Sequence, residues 1–226
     1  MKKKSYPIPF LKKWVSYFTE IEMERVSSSL NQTMFVTLDK GTLKLSTQNA
    51  IYSFGNRYDN YGSLLKKLDY TSMDEVLILG LGLGSIPLIM EEVSQKSFHF
   101  TFIEKDEEVV YLASKYTIPY LRSSCLIICS DIGSFLMTDE KQYHFIAMDV
   151  FIDDKIPEEF QSIEFLEMLS MSLFPDGMLI YNMLAFNEKD KRKAEQFFQS
   201  VFTIVFPQST VQYIKGNMMF TGIRCV

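Results

Sequence analysis

The spacing of apolar positions changes twice along the chain. Phe10, Leu11, Trp14, Val15 and Phe18 recur at helical intervals beside Lys12 and Lys13. They predict a helix that packs its apolar stripe onto the body of the protein or onto a second subunit, with a membrane surface as the other destination for such a stripe. In residues 34–46 two alternating runs flank Asp39, Lys40 and Gly41, which is a hairpin signal. The stretch QNAIYSFGNRYDNYG follows, rich in Asn, Gly and Tyr, and leads into a short helix expected near Ser63–Leu68. Residues 1–70 therefore read as a small helix-plus-hairpin lobe, and residues 71–226 as a second unit.

From Asp74 onward short apolar runs alternate with helical patterns. EVLILG (75–80), FHFTFIE (98–104), CLIICS (125–130), YHFIAMDVF (143–151) and GMLIYNM (177–183) predict strands. SIPLIMEEVSQ, DEEVVYLASKY, EEFQSIEFLEMLSMSL and EKDKRKAEQFFQSVF predict the intervening helices, with Asp106 placed to cap the second of them. A last pair of strands is expected around a turn at Lys215, Gly216 and Asn217. Continuous apolar strands alternating with helices predict an α/β fold, a Rossmann-like, mostly parallel sheet covered on both faces. Ligands of such sheets bind beyond the carboxyl ends of the strands, where the strand order reverses.

Composition narrows the function classes. The 226 residues are 47% hydrophobic and carry a formal net charge of −5. This excludes a disordered chain and argues against broad nucleic-acid binding, which needs a basic footprint. Cys125, Cys129 and Cys225 form no disulfide framework; the first and second stand in an apolar run where buried thiols are ordinary, and a reducing cytoplasm is the expected compartment. His99 and His144 lie in strand-like stretches with no metal-like partner at short spacing, so no metal site is expected. No run of apolar residues is long enough to span a bilayer, and Lys12 and Lys13 interrupt any signal-peptide core.

The candidate chemistry lies at the strand ends. Gly80, Gly82 and Gly84 form a G-x-G-x-G turn between a strand and a helix, letting backbone approach a ligand while the helix N-terminus offers free N–H groups. A dinucleotide fingerprint would place glycine or alanine at position 85, which here is Ser85, so an NAD-dependent oxidoreductase fits poorly. Glu104 ends the second strand, where a carboxylate can accept both hydroxyls of a ribose. Asp131 and Ile132 follow the third strand, and Asp149 ends the fourth. Acids at such positions also end strands and cap helices, and Asp131 precedes the helical IGSFLM as an ordinary cap would.

The segments VLILGLGLGS, FIEKDEEVV, CSDIGSFL, YHFIAMDVFIDDKIPEEFQSIEFLEML and LFPDGMLIYN together resemble the class I S-adenosylmethionine-dependent methyltransferase fold. The likeness is closest to its spermidine-synthase-like branch and covers roughly residues 34–226. It implies a seven-stranded sheet with an antiparallel last strand, and a cofactor that is S-adenosylmethionine or its decarboxylated form. By position, Gly80, Gly82 and Gly84 would line the ligand's tail, Glu104 would hold its ribose, and Asp131 and Ile132 its adenine.

The departures from that branch concern the acceptor side. Aligned on Tyr61, the family's Asp-Glu pair becomes Arg57 and Tyr58, its Glu becomes Ser63 and its Gln becomes Tyr52. The family's catalytic Asp falls on Ile152, with Asp153 and Asp154 just beyond. Asp149 and Asp153 are the candidate bases, and Tyr52, Tyr58 and Tyr61 the candidate acceptor-binding residues, on a segment able to act as a lid. Gln48, Asn49 and Asp149 would decide whether the cofactor's carboxylate is accommodated. The expectation is a transferase moving a methyl group to a small-molecule acceptor. The rivals are an aminopropyltransferase and a degenerate nucleoside-binding or dimeric interaction module.

Overall fold

A computed structural model describes residues 5–30, 32–48, 50–151 and 156–225. A short helix, α1 (Phe10–Val15), precedes four strands: β1 (Ile21–Ser28), β2 (Gln32–Asp39), β3 (Thr42–Ser46) and β4 (Ile51–Ser53). They form an antiparallel sheet in sequence order. The β2–β3 turn is the expected two-residue hairpin: Lys40 and Gly41 both adopt positive φ, at 48° and 76°, which matches the twist of the flanking strands.

The larger unit follows a helix α2 (Asp59–Leu65) and alternates as expected: β5 (Glu75–Leu79), α3 (Ser85–Ser94), β6 (His99–Glu104), α4 (Glu107–Tyr116), β7 (Ser124–Cys129), α5 (Ile132–Thr138) and β8 (Tyr143–Met148). Then come α6 (Ile163–Met171), β9 (Leu173–Leu184), α7 (Glu188–Phe197), β10 (Thr210–Ile214) and β11 (Asn217–Ile223). The seven strands lie in the order β10-β11-β9-β8-β5-β6-β7. The pairs β5/β6, β6/β7, β5/β8 and β8/β9 are parallel, while β11 runs antiparallel to both its neighbours. The chain moves outward from β5 to β7, then returns to β8 on the other side of β5. The point of reversal therefore lies between β5 and β8.

The central strand shows why this sheet is buried on both faces. Val76 and Ile78 belong to one apolar cluster, Leu77 and Leu79 to the other, as the two-residue period of a strand requires. The first cluster gathers Phe100, Phe102, Phe145 and helices α2, α3 and α4, and extends to Met34, Val36 and Leu45 of the N-terminal sheet. The second gathers Ile146, Met148 and Tyr181 against Phe135, Phe165, Leu166, Phe197 and Phe202. The two sheets thus share one body of apolar contacts.

Four expectations need correction. The stripe of α1 does not pack onto the body: Phe10 is 84%, Leu11 70%, Trp14 56% and Phe18 75% exposed. The helix ends after six residues because Ser16 is pinned to the hairpin turn, accepting from Gly41 N (2.9 Å) through its hydroxyl and from Lys40 N (2.8 Å) through its carbonyl. The helix α2 begins four residues earlier than expected; Gly62 reads as a turn, but burial of Tyr61, Leu64 and Leu65 overrides that propensity. Strand β1 is not signalled by the sequence pattern, because a bulge between Glu22 and Glu24 breaks its alternation. Finally, the thiols are not deeply buried. Cys125 is half-buried, and Cys129 and Cys225 are exposed, the first two because β7 is the sheet's edge. Among the described residues, no helix is long and apolar enough to cross a membrane.

Candidate active site

The glycine turn sits where the strand order reverses. Gly80, Gly82 and Gly84 all have positive φ (88°, 50° and 81°), a region that side chains rarely adopt. At the first two, close approach adds a second requirement. A Cβ on Gly80 would meet the Asp149 carbonyl oxygen at 2.3 Å, and one on Gly82 would meet the Tyr52 carbonyl oxygen at 2.9 Å. Gly80 thus lets β5 and the end of β8 converge, and Gly82 lets the N-terminal sheet cross the loop.

That crossing is fastened by the residue that departs from the dinucleotide fingerprint. The Ser85 hydroxyl shares a hydrogen bond with the Ser53 hydroxyl (2.6 Å) and accepts from Phe54 N (3.0 Å). All of this is shielded from solvent, since Ser53 and Ser85 are both buried. The segment expected to act as a lid is thereby tied at its start to the first turn of α3.

Beyond the strand ends lies an open cavity of about 170 Å³. Tyr52, Gly80, Gly82, Glu104, Asp131, Ile132 and Asp149 line it. Gly84 caps α3 behind the loop instead. Tyr58 and Tyr61 also lie off the wall. Tyr61 is fully buried and donates to the carbonyls of Met148 (2.8 Å) and Ile180 (3.3 Å), so its hydroxyl pins the strand ends rather than facing an acceptor. Asp153, Asp154 and Asn49 fall outside the described residues, and Gln48 does not reach the wall.

Each acid has a distinct environment. Glu104 turns back toward the glycine loop and accepts from Leu81 N (3.1 Å), Lys105 N (2.8 Å) and Asp106 N (3.0 Å). Burial nevertheless holds its carboxyl above the usual range. Asp131 caps α5 by accepting from Ser134 N (3.1 Å) and lies 3.5 Å from the Lys105 ammonium. Those two partners, the backbone amide first, hold its carboxyl low. Asp149 accepts from the Asn182 amide (2.9 Å) and from the Tyr58 hydroxyl, yet desolvation pushes its carboxyl up to about 6. In turn burial and the Asp149 charge drive the Tyr58 phenol well above its ordinary value.

Sequence reasoning missed part of the wall. Lys105, Asp106 and Glu159 add charge, and Val150, Phe151 and Phe160 add apolar surface. Asp106 was read only as a helix cap, a role it does fill by accepting from Glu108 N (2.9 Å); it also accepts from the Ser28 hydroxyl of β1. Glu159 and Phe160 reach the cavity because Pro157 leads into a tight turn, Glu158–Gln161, ahead of α6. The one signal for them was the proline before an acidic pair. Among the described residues, five acidic residues and one lysine, Lys105, line the cavity.

Comparisons place this geometry among known folds. No family model matches the chain. The polyamine aminopropyltransferase of Vibrio vulnificus is 29% identical over 112 residues, 48% of this chain and 37% of that relative. The match therefore spans little more than a third of the relative's length. A probable spermidine synthase from Corynebacterium glutamicum superposes with a TM-score of 0.68 at 17% identity, over 88% of this chain and 79% of that one. Spermidine synthase from Thermotoga maritima gives 0.66 at 14%, over 90% and 73%. Human methyltransferase-like protein 13, solved in complex with SAH, gives 0.53 at 22%, over 71% and 74%. The synthases cover more of the chain than the methyltransferase does, and with a better fit. The fold is that of the class I methyltransferases, in its spermidine-synthase-like form. In this chain the small N-terminal sheet and the seven-stranded sheet meet at the glycine turn, where the cavity described above opens.

Proposed function

We propose that the chain is a transferase that takes an aminopropyl group from decarboxylated S-adenosylmethionine and passes it to an amine. The observation that carries this reading is the charge of the cavity. Among the described residues five acids and one lysine line it, and that lysine stands beside Asp131. Such a site suits a sulfonium that ends in an ammonium. A methyl donor carries a carboxylate beside that ammonium, and Asp149, the acid next to Gly80, would repel it. The likeness to an aminopropyltransferase and to spermidine synthases supports the same choice, so methyl transfer becomes the second reading.

The residues present fit such a nucleoside. Gly80 and Gly82 bring bare backbone to the cavity wall, and a desolvated carboxylate, Glu104, stands on the same wall. Glu104 would hold the ribose, Asp131 and Ile132 would flank the base, and Gly80 and Gly82 would admit the tail. When bound, the nucleoside supplies an activated carbon and a neutral thioether leaving group. The chain's part is to position an amine, exclude water and take up the amine's proton. Asp149 is the candidate base, held by Asn182 and Tyr58. Asp153 is the second candidate.

The acceptor side differs from a polyamine site. Arg57 pairs with Asp39 at 3.6 Å and stacks on Phe54 at 4.5 Å, while Tyr52 and Tyr58 stand where the resemblance implies polar and acidic side chains. With fewer carboxylates, the site suits an acceptor of low positive charge. The same loss is the observation that favours methyl transfer as the second reading. Product analysis separates the two. Incubation with each sulfonium donor and a panel of mono- and diamines should release methylthioadenosine from the decarboxylated donor. Release of S-adenosylhomocysteine alone would replace the reading with methyl transfer.

A further inference from the structure

We propose that the surface formed by α1 and the β2–β3 turn docks onto an anionic lipid bilayer. The proposal is independent of the chemistry assigned to the cavity. Three observations point to it.

The first is the presentation of the apolar side chains. Phe10, Leu11, Trp14 and Phe18 project from one short stretch and are exposed, and Trp14 and Phe18 contact each other with ring centroids 5.0 Å apart. The stretch is held at both ends. Tyr6 packs at a tilt against Tyr116 with centroids 4.6 Å apart, and Ser16 is bonded to the hairpin turn. A fixed scaffold thus offers a cluster of large side chains to the outside, which isolated exposed residues would not do.

The second is charge. The chain carries −5 overall, yet the segment ahead of Glu20 contains Lys2, Lys3, Lys4, Lys12 and Lys13 and no acid. Lys12 and Lys13 are exposed on α1 itself, and Lys40 is exposed on the adjoining turn. The acids that flank this surface are already paired: Glu20 with Lys44 at 2.7 Å and Asp39 with Arg57 at 3.6 Å. The local field is therefore positive on a negative protein.

The third is the kind of side chain. Tryptophan and phenylalanine beside lysine is the combination that settles at a headgroup boundary, the rings entering and the ammonium groups staying at the phosphates. Two like-charged copies of this face would repel each other, whereas an anionic bilayer satisfies both the rings and the lysines.

Trp14 is the only tryptophan in the chain, so its emission reports directly on this surface. The test is co-sedimentation and tryptophan emission with phosphatidylcholine vesicles, with and without about 30% phosphatidylglycerol. The expected result is binding to the anionic vesicles alone, a blue shift of Trp14 emission, and reversal by high salt. The double variant Lys12→Glu/Lys13→Glu, with unchanged thermal unfolding, should lower partitioning at least about tenfold. Failure to sediment with anionic vesicles would overturn the proposal. Sedimentation without a shift in Trp14 emission would also overturn it, because another surface would then be responsible. A lipid-free blue shift that grows with protein concentration, together with a doubled mass, would overturn it in favour of a second copy.

Discussion

Asp149 faces two opposing demands. Its carboxyl is desolvated enough to titrate near 6, against 3.8 ordinarily, and such a value suits a base working near neutrality. The same shift costs stability. Because the folded-state value lies above the unfolded one, this group favours the fold most below about pH 4. Its contribution falls as pH rises from about 4 to 6 and is level above that. The difference corresponds to about 3 kcal/mol at neutral pH. Asp149→Asn keeps the shape and can still accept from Asn182. Thermal melts at pH 7 should therefore show it more stable by about 2–3 kcal/mol, roughly 4–12 °C. Transfer activity should fall at least about 100-fold. In the parent protein, kcat/KM should climb through about pH 6 as Asp149 ionises. A variant that is less stable, or one that stays active, would remove Asp149 from the role of base. Sequence alone placed Glu104, Asp131 and Asp149 at the strand ends, because an acid after an apolar run is visible in one dimension. It did not reveal that Tyr61 turns inward to Met148 and Ile180, since a tyrosine in a polar stretch carries no sign of its partner.

At the scale of elements, the link between β4 and α3 is what the pattern could not disclose. Ser85 marked only the absence of a dinucleotide fingerprint. In the fold it joins Ser53 and Phe54 to the helix that opens the glycine turn. Ser85→Ala leaves a buried hydroxyl and a backbone N–H without their partner, a loss of about 1–3 kcal/mol. The expected result is a lower urea midpoint at unchanged slope, together with weaker nucleoside binding as Tyr52 shifts from the wall. Unchanged binding in a destabilised variant would show that the crossing is structural only. The strands and helices from Glu75 onward were legible because each is a continuous run or a clean helical repeat. In the N-terminal sheet β1 is hidden by its bulge, and ahead of the expected helix Gly62 hides only the first turn of α2, both cases in which packing outweighs local preference.

At the scale of the molecule, the boundary read near residue 70 separates two sheets that fold against one another. Met34, Val36 and Leu45 share a cluster with Val76, Ile78 and Phe100. Glu24 of β1 also accepts from Lys115, Tyr111 and Tyr116 at the end of α4, at 2.7–3.0 Å. Unfolding should therefore be a single transition, with calorimetric and van't Hoff enthalpies in agreement. A chain restricted to residues 71–226 should be poorly folded, and two separate transitions would contradict the shared core.

The claim on which the functional account rests is that the cavity takes an adenosyl ligand held by Glu104. Calorimetric titration of methylthioadenosine into the parent protein and into Glu104→Gln tests it most directly. The account predicts one site per chain in the parent and affinity at least about tenfold weaker in the variant, the loss expected when charge-assisted hydrogen bonds to a ligand are removed. No heat with the parent protein, or equal affinity in the two, would contradict it.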